Sequence, residues 1–597
     1  MITRNSDPQI GRRHAKVALG RQHLPLVIAA WAGVGLVIWH LALVVTGGPP
    51  LTGLGYTVRA LVQVDPVGGL PSRYRPISGL LTTLVAVVLL TGVIAGWVWL
   101  RRRWDRKRSG IGLADKRQAR RSAGEVRARK LAGHVRRASV DAGLLDVDTA
   151  PLAEVGHLLG NAHDTREQVV LTLEDQVGIV AATGAGKTLY LMVSAALDAP
   201  GPLIATSTKP EVLDAIVETR TGKGRVWVFD PLNVANWPEP MVWDPIAGAT
   251  DATAAVARGE AFAAALGDGG DSKSGAFFQS AAAIIMARLI HAAALSDSTM
   301  VDVVGWALEL ERSTTARDIL SDHPDAELFW AQTLRAASEG ADETLSSVRM
   351  TLGQKVEPIL SRTVMRQMLP ARGVPVFDPA AFVTSTDTLV LITDDQARTN
   401  VAPLTTMLLN EVLDAAKAQA ARAHTGRLDP PLRIVGDEIA NVAPVPKLPG
   451  NLSDSRGVGI QWFAAFQSVA QILARWGEDQ GRQILANLNC SIILGGLQDE
   501  KALERFSTLV GKADLVEVSS QLDTANTATT HSVSLTERDV LRPEEIRLIP
   551  DGQALVIYRN SPAMIVDLIP WTKRPDGAEI AAGVRRVRAA RIGQPTT

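Results

Sequence analysis

Cysteine is almost absent: 597 residues contain one, Cys490. That excludes an intramolecular disulfide and any metal site built from several thiolates. The apolar neighbours Ile492, Ile493 and Leu494 mark Cys490 as a buried structural thiol. Net charge is absent as well. The chain has 62 basic and 62 acidic residues and a formal charge of +0, so it is not a uniformly basic nucleic-acid binder and any basic surface must be local. Residues 24–46 and 78–100 contain no Asp, Glu, Lys or Arg. Each run matches the ~20 apolar residues needed to cross a bilayer. The remaining composition, 46% hydrophobic and 21% charged, fits a globular body with membrane segments. The length allows about two to four domains.

Basic residues flank both apolar runs. Arg4, Arg12, Arg13, Lys16 and Arg21 precede the first, and Arg101, Arg102, Arg103, Arg106, Lys107 and Arg108 follow the second. The loop between them has only Arg59, Arg73 and Arg75. The positive-inside rule then predicts two spans with both termini cytoplasmic. A cleaved signal peptide does not fit, because the first run is too long and a second span follows. Residues 101–137 hold fifteen Lys and Arg against Asp105, Asp115 and Glu125, which suits attraction to anionic headgroups and is compatible with a nucleic-acid contact.

The chemistry begins at residue 176. An apolar strand over 176–182 runs into Thr183, Gly184, Ala185, Gly186, Lys187 and Thr188, and a helical run follows. Strand, glycine-rich turn, Gly-Lys-Thr and helix form the phosphate-binding loop of P-loop nucleotidases. Small residues let main-chain N–H groups wrap a phosphate, Lys187 reaches the β- and γ-phosphates of ATP, and Thr188 ligates Mg²⁺. One position departs from the pattern: Ala181 stands where the motif usually opens with Gly. A second apolar strand ends in Asp437 and Glu438. In such ATPases the first carboxylate holds Mg²⁺ and the second orients the attacking water.

Further apolar strands are expected at 202–207, 225–230, 388–393, 459–466, 490–496 and 554–559. Strands alternating with helical patterns imply a largely parallel sheet covered on both faces, the architecture of a RecA-like motor. From 251 to 373 no strand is expected and helical patterns dominate, which reads as an inserted all-α domain with Phe277, Phe278 and Met286 in its core. The Ser/Thr-rich run 519–534 reads as a solvated loop, and the segment with Arg585, Arg586, Arg588 and Arg591 as an exposed tail.

With these residues in place, the chain resembles the type IV secretion coupling proteins, the conjugative DNA-transfer ATPases, over most of residues 20–570. The likeness is most specific from Gly436, Asp437 and Glu438 through Asn441, Pro444, Pro446 and Lys447, then Asp454, Ser455, Arg456, Gly457, Phe466 and Gln467. Ser207 to Glu211, Trp243 to Pro245, Phe277, Phe278 and the stretch from Arg538 to Ile546 add to it. The resemblance implies an α/β fold: a RecA-like P-loop core, an inserted all-α domain and two N-terminal transmembrane helices. It divides the chain into a cytoplasmic basic N-terminus (1–23), two spans (24–100), a basic linker (101–150), core (151–250), insertion (251–373), core (374–570) and basic tail (571–597). It gives Gln467 the part of γ-phosphate sensor and Arg456 that of an arginine finger acting across a subunit boundary. It also implies a homo-hexameric ring and, as partners, single-stranded DNA, a relaxase and secretion-channel proteins. A duplex-DNA translocase of the cell-division type and a docking receptor for secreted proteins are the alternatives. The large all-α insertion and the short linker after the spans disfavour the translocase.

Overall fold

The structure, a computed structural model, describes residues 112–239, 241–265, 273–339, 343–394, 400–522 and 529–593. Both expected membrane spans lie outside the described residues, as do most of the glycine-rich joint around 267–275 and the end of the tail. Among the described residues one helical stretch, Phe277–Leu295, is long and apolar enough to cross a bilayer, and half of it is buried inside the protein.

The larger of two compact units comprises 113–510 and 541–597. It is built on an 11-stranded sheet in the order β2-β1-β13-β12-β9-β3-β8-β7-β4-β6-β5. The strands are β1 (Gly156–Ala162), β2 (Gln168–Thr172), β3 (Val177–Val180), β4 (Leu203–Ser207), β5 (Val226–Phe229), β6 (Thr388–Ile392), β7 (Leu432–Gly436), β8 (Ile460–Phe466), β9 (Cys490–Leu494), β12 (Gln553–Tyr558) and β13 (Met564–Leu568), with β10 and β11 in the other unit. The block from β9 to β5 is parallel throughout. β12, β13, β1 and β2 extend it as an antiparallel margin.

Period-2 alternation divides the core between the two faces. Along β8, Trp462, Ala464 and Phe466 join one apolar cluster, and Phe463 and Ala465 join another. On β4, Ile204 faces the first cluster and Leu203 and Ala205 the second. A strand buried on both sides favours apolar residues on both faces, which is why these strands read as near-continuous hydrophobic runs.

The first cluster contains the helices found between β5 and β6, where no strand occurs among the described residues. Met286, Leu289 and Ile290 of the helix Lys273–Leu295 are buried there, while Phe277 is 47% exposed, so it is not the core residue expected. The second cluster lies under the helix Val193–Leu197 and the helix Glu211–Thr221.

Two basic segments are more ordered than their composition suggested. Within the basic linker, helices Lys116–Ala123 and Glu125–Val135 bury Ala119, Ala123, Ala128 and Ala132, and both pack on β2. The arginine-rich stretch read as an exposed tail forms the helix Gly577–Ile592, which packs along the helix Glu211–Thr221. Arg591 is buried, with Nε and Nη2 each 2.9 Å from the carboxylate of Asp214, and Arg588 Nε donates to the same carboxylate at 2.9 Å.

The other unit includes Gly511–Val540. Its strands β10 (Lys512–Leu522) and β11 (Thr529–Asp539) pair antiparallel from Lys512↔Asp539 to Leu522↔Thr529. The run expected to be a loop is therefore largely a hairpin. Its Val516, Val518, Thr529, Thr530 and Val533 are β-branched residues that favour a pleated backbone.

Removing the shared carboxylate with Asp214→Ala would strand Arg591 in the interior. A loss of about 3 kcal/mol in chemical denaturation is expected. Glu218→Ala, which breaks the exposed pair with Arg586, should cost under ~1 kcal/mol.

Candidate nucleotide-binding site

Parallel strands leave the sheet at a common carboxyl edge, and in open α/β sheets ligands gather there. Four turns meet at this edge: 181–188 after β3, Ser207 to Lys209 after β4, Asp437 and Glu438 after β7, and Gln467 after β8. Together with the start of helix Glu211–Thr221, the first three line a cavity of about 390 Å³ that contains Thr183, Lys187, Thr188, Lys209, Asp437 and Glu438.

The turn after β3 has the backbone that a phosphate cradle requires. Gly184 and Gly186 both have φ of +82°, a region costly for a residue with a Cβ. A Cβ on Gly186 would also lie 2.8 Å from the ring of Tyr190. Ala181, the departure from the motif, directly follows the last residue of β3. Its amide donates to the Phe466 carbonyl at 3.1 Å and its φ is not positive, so nothing there demands glycine. Lys187 is buried, and Thr188 opens a π-helical turn, Thr188–Met192, that leads into the helix Val193–Leu197. Single π turns of this kind are frequent at functional sites.

Asp437 is pinned to the neighbouring strand. Its amide donates to the Thr206 carbonyl at 3.3 Å, and Thr206 Oγ1 donates to the Asp437 carbonyl at 2.9 Å. Its Oδ1 is buried without a hydrogen-bond partner. Burial pushes the carboxyl up to about 6, against the downward pull of the Lys187 ammonium. An acceptor held in place but unpartnered beside Lys187 is the donor set that a hard divalent cation such as Mg²⁺ takes, through one carboxylate and a hydroxyl. The residues present therefore fit the ion, and Asp437 and Thr188 are those that would hold it.

Glu438 has φ of +55°, an uncommon conformation for a non-glycine residue and one that occurs at strained functional turns. Its Oε1 accepts from Gln467 Nε2 at 2.9 Å and its Oε2 from Thr208 Oγ1 at 3.4 Å. Below them Gln471 Nε2 donates to Asn441 Oδ1 at 3.3 Å, and the Gln467 amide donates to Gln471 Oε1 at 3.0 Å. Two side-chain bridges thus tie the turns after β7 and β8.

Arg456 lies elsewhere. It lies in the last turn of the helix Leu448–Val458, shortly before β8 begins, whereas Gln467 follows the end of β8. The seven-residue strand between them spans roughly 20 Å. Arg456 is half-exposed, with Nε 3.2 Å from Glu174 Oε2, and Glu174 is also paired with Arg427. The structure therefore brings together Thr183, Gly184, Gly186, Lys187, Thr188, Asp437 and Glu438, joins Gln467 to them through Glu438, and keeps Arg456 at the opposite edge of the sheet.

The cavity has residues that sequence reasoning did not assign to it. Lys209 was noticed only as part of a family-like stretch, while Trp571 and Arg588, which also line it, fell in the supposed tail. No signal local to those two residues marks them, because what holds them is distant in sequence.

Residues 431–551 match the family model described as the TraM recognition site of TraD and TraG. Among solved structures, the bacterial conjugative coupling protein TrwBdeltaN70 in its unbound monoclinic form is 16% identical and aligns over 69% of this chain and 88% of its own, with a TM-score of 0.50. The plasmid coupling protein TrwB in complex with ADP and Mg²⁺ is 18% identical over 66% of this chain and 85% of its own, TM-score 0.47. VirB4 of Thermoanaerobacter pseudethanolicus is 13% identical over 69% and 96%, TM-score 0.38. No curated protein matches the chain. The first of these structures carries the fold, an α/β core.

Asp437→Asn removes a buried charge while keeping the shape of the side chain. Without ligand its melting temperature should equal or exceed that of the parent. The stabilisation by ATP with Mg²⁺ should shrink by at least about tenfold in apparent affinity. An unchanged response to Mg²⁺ in a thermal-shift titration would remove Asp437 from the metal site.

Proposed function

Starting from a chain that resembles the type IV coupling proteins in both sequence and fold, we propose that it is a membrane-anchored ATPase that couples ATP hydrolysis to transfer of single-stranded, relaxase-bound DNA toward a conjugation channel. The observation that supports this most is local. One cavity at the carboxyl edge of the sheet combines a glycine cradle, a buried lysine, a carboxylate with an unpartnered buried oxygen, and Glu438, which Gln467 contacts.

Each residue has a chemical task in this reading. Main-chain amides of 184–188 and the Lys187 ammonium hold the β- and γ-phosphates. Thr188 and Asp437 supply oxygen ligands to Mg²⁺, which when bound would neutralise charge on the transferring phosphoryl group. Glu438 orients the attacking water and polarises it toward the γ-phosphorus. Gln467 donates to Glu438 before the γ-phosphate arrives. Gain or loss of that phosphate at the Glu438 end would be felt along β8 and its following helix, a route from chemistry to movement.

Arg456 serves a neighbouring subunit. It lies too far from the cradle of its own chain to meet that chain's phosphate, so a ring of like copies, taken here as a hexamer, would let it act in trans. An arginine finger in trans makes hydrolysis depend on assembly. In the single chain Glu174 holds the Arg456 guanidinium. The matched segment 431–551 bears the description of a partner-recognition site, which favours recruitment of relaxosome proteins alongside the motor activity and shifts the expected docking surface away from the helical insertion.

Three measurements test this. Lys187→Ala should abolish ATP hydrolysis. Hydrolysis by the parent protein should rise with single-stranded DNA at low salt more than with duplex, and a rate indifferent to both would remove the DNA assignment. Arg456→Ala should leave ATP binding intact and reduce kcat of the assembled protein by about 10³-fold. An unchanged kcat would end the finger assignment.

A further inference from the structure

The nucleotide cavity has two chemical halves. One presents Lys187, Thr188, Lys209, Asp437 and Glu438. The other is walled by Leu189, Val193, Val212, Ala215, Trp571 and Val584. Leu189 is 36% exposed and Trp571 is only partly buried, so apolar surface remains open to the cavity beside the phosphate cradle. An aromatic ring and branched aliphatics left uncovered next to an anion site match one kind of ligand, a polyphosphate carrying a flat, weakly polar ring.

Extensive bracing holds this wall. Pro570 and Trp571–Lys573 form a short turn that touches the helical turn Thr188–Met192 directly after the cradle. Arg574 anchors the turn, with Nη1 2.9 Å from Asp198 and Nε 2.9 Å from Asp576. Asp198 directly follows the helix Val193–Leu197, so the turn is tied to the far end of the helical run that starts at the cradle. The helix Gly577–Ile592 begins against the same turn: a Cβ on Gly577 would lie 2.6 Å from the Thr572 carbonyl and 2.8 Å from that of Trp571, so only glycine fits. Farther along, Gly583 lets this helix approach Glu218, and Arg588 and Arg591 clamp it to Asp214. Such bracing keeps the Trp571 side of the cleft at a fixed distance from the phosphate loop, and a fixed distance allows one ligand to span both halves.

We infer that Trp571 is the platform for the nucleotide base, with Val584 and Leu189 completing its apolar slot, so that the C-terminal helix is the base-side wall of the ATP site. This rests on the nucleotide reading above. Cavity continuity carries it: the same 390 Å³ space contains Lys187 and Trp571. Stacking on an aromatic face tolerates any base, so affinity rather than base identity is what Trp571 sets.

The test compares a ligand with a base to one without. Binding of ATP and of inorganic tripolyphosphate, each with Mg²⁺, is measured by calorimetry on full-length protein for the parent, Trp571→Ala, Trp571→Phe, Trp571→Leu and Lys187→Ala. For Trp571→Ala the Kd of ATP should rise about tenfold with that of tripolyphosphate unchanged. Trp571→Phe should stay within about twofold of the parent, and Trp571→Leu should weaken ATP alone by about fivefold. The Phe and Leu variants decide the matter if the Ala variant does not fold. ATP affinity that is unaffected by these substitutions, or that falls equally with tripolyphosphate affinity, overturns the assignment of Trp571. Lys187→Ala should weaken both ligands. If it weakens neither, the nucleotide site itself is misassigned, and that failure is distinct from a failure at Trp571.

Discussion

A buried carboxylate oxygen with nothing to accept from is expensive, and Asp437 keeps one at the carboxyl edge of the sheet. Its main chain is fastened to β4 through Thr206, so the side chain cannot escape the cost by moving away. The Lys187 ammonium pulls the group toward its charged form while burial pulls the other way. This stored tension is what a triphosphate with its metal would relieve. Glu438, with a left-handed backbone, directly follows Asp437 and reaches Gln467 just past the end of the next strand. The position of β7 between β4 and β8 thus sets Asp437, Glu438 and Gln467, to which the proposal gives metal binding, water orientation and phosphate sensing, within one hydrogen-bonded frame.

The parallel block was legible because its strands are buried on both faces. Near-continuous apolar runs suit such an environment, and β3, β4, β5, β6, β7, β8 and β9 have them, interrupted at buried Arg433 and Gln461, which are bonded to each other. β1, β2 and β13 were not anticipated. β1 opens Gly156 and His157 and contains Gly160 and Asn161, a pattern that lacks an apolar run and a clean alternation. The hairpin of β10 and β11 was obscured by Ser and Thr, residues that favour loops by composition and strands by branching at Cβ. The glycine-rich turn was legible at one glance, and the structure explains its one irregularity, since Ala181 has no positive φ and its amide is fixed on the Phe466 carbonyl.

The C-terminal arginines teach the opposite lesson. Four of them within seven residues, Arg585, Arg586, Arg588 and Arg591, look like solvated surface on the sequence alone. Asp214, the partner of two of them, stands 377 positions from Arg591, and no local pattern announces a pairing across such a separation. That pairing turns a supposed tail into a wall of the cavity and brings Trp571 with it. Arg456 is a different case. Its place at the far edge of the sheet follows from the order of elements, and only the proposed ring would bring it to a phosphate, that of another copy.

The account depends on a triphosphate seated in the Gly184 to Thr188 cradle, so a structure of the assembled protein with a non-hydrolysable ATP analogue and Mg²⁺ tests it most directly. The account predicts phosphates against the amides of that turn and the Lys187 ammonium, a metal ion between Thr188 and Asp437, and Arg456 of an adjacent subunit turned toward the γ-phosphate. An analogue bound outside this cavity, or a metal ion without either ligand, would contradict it.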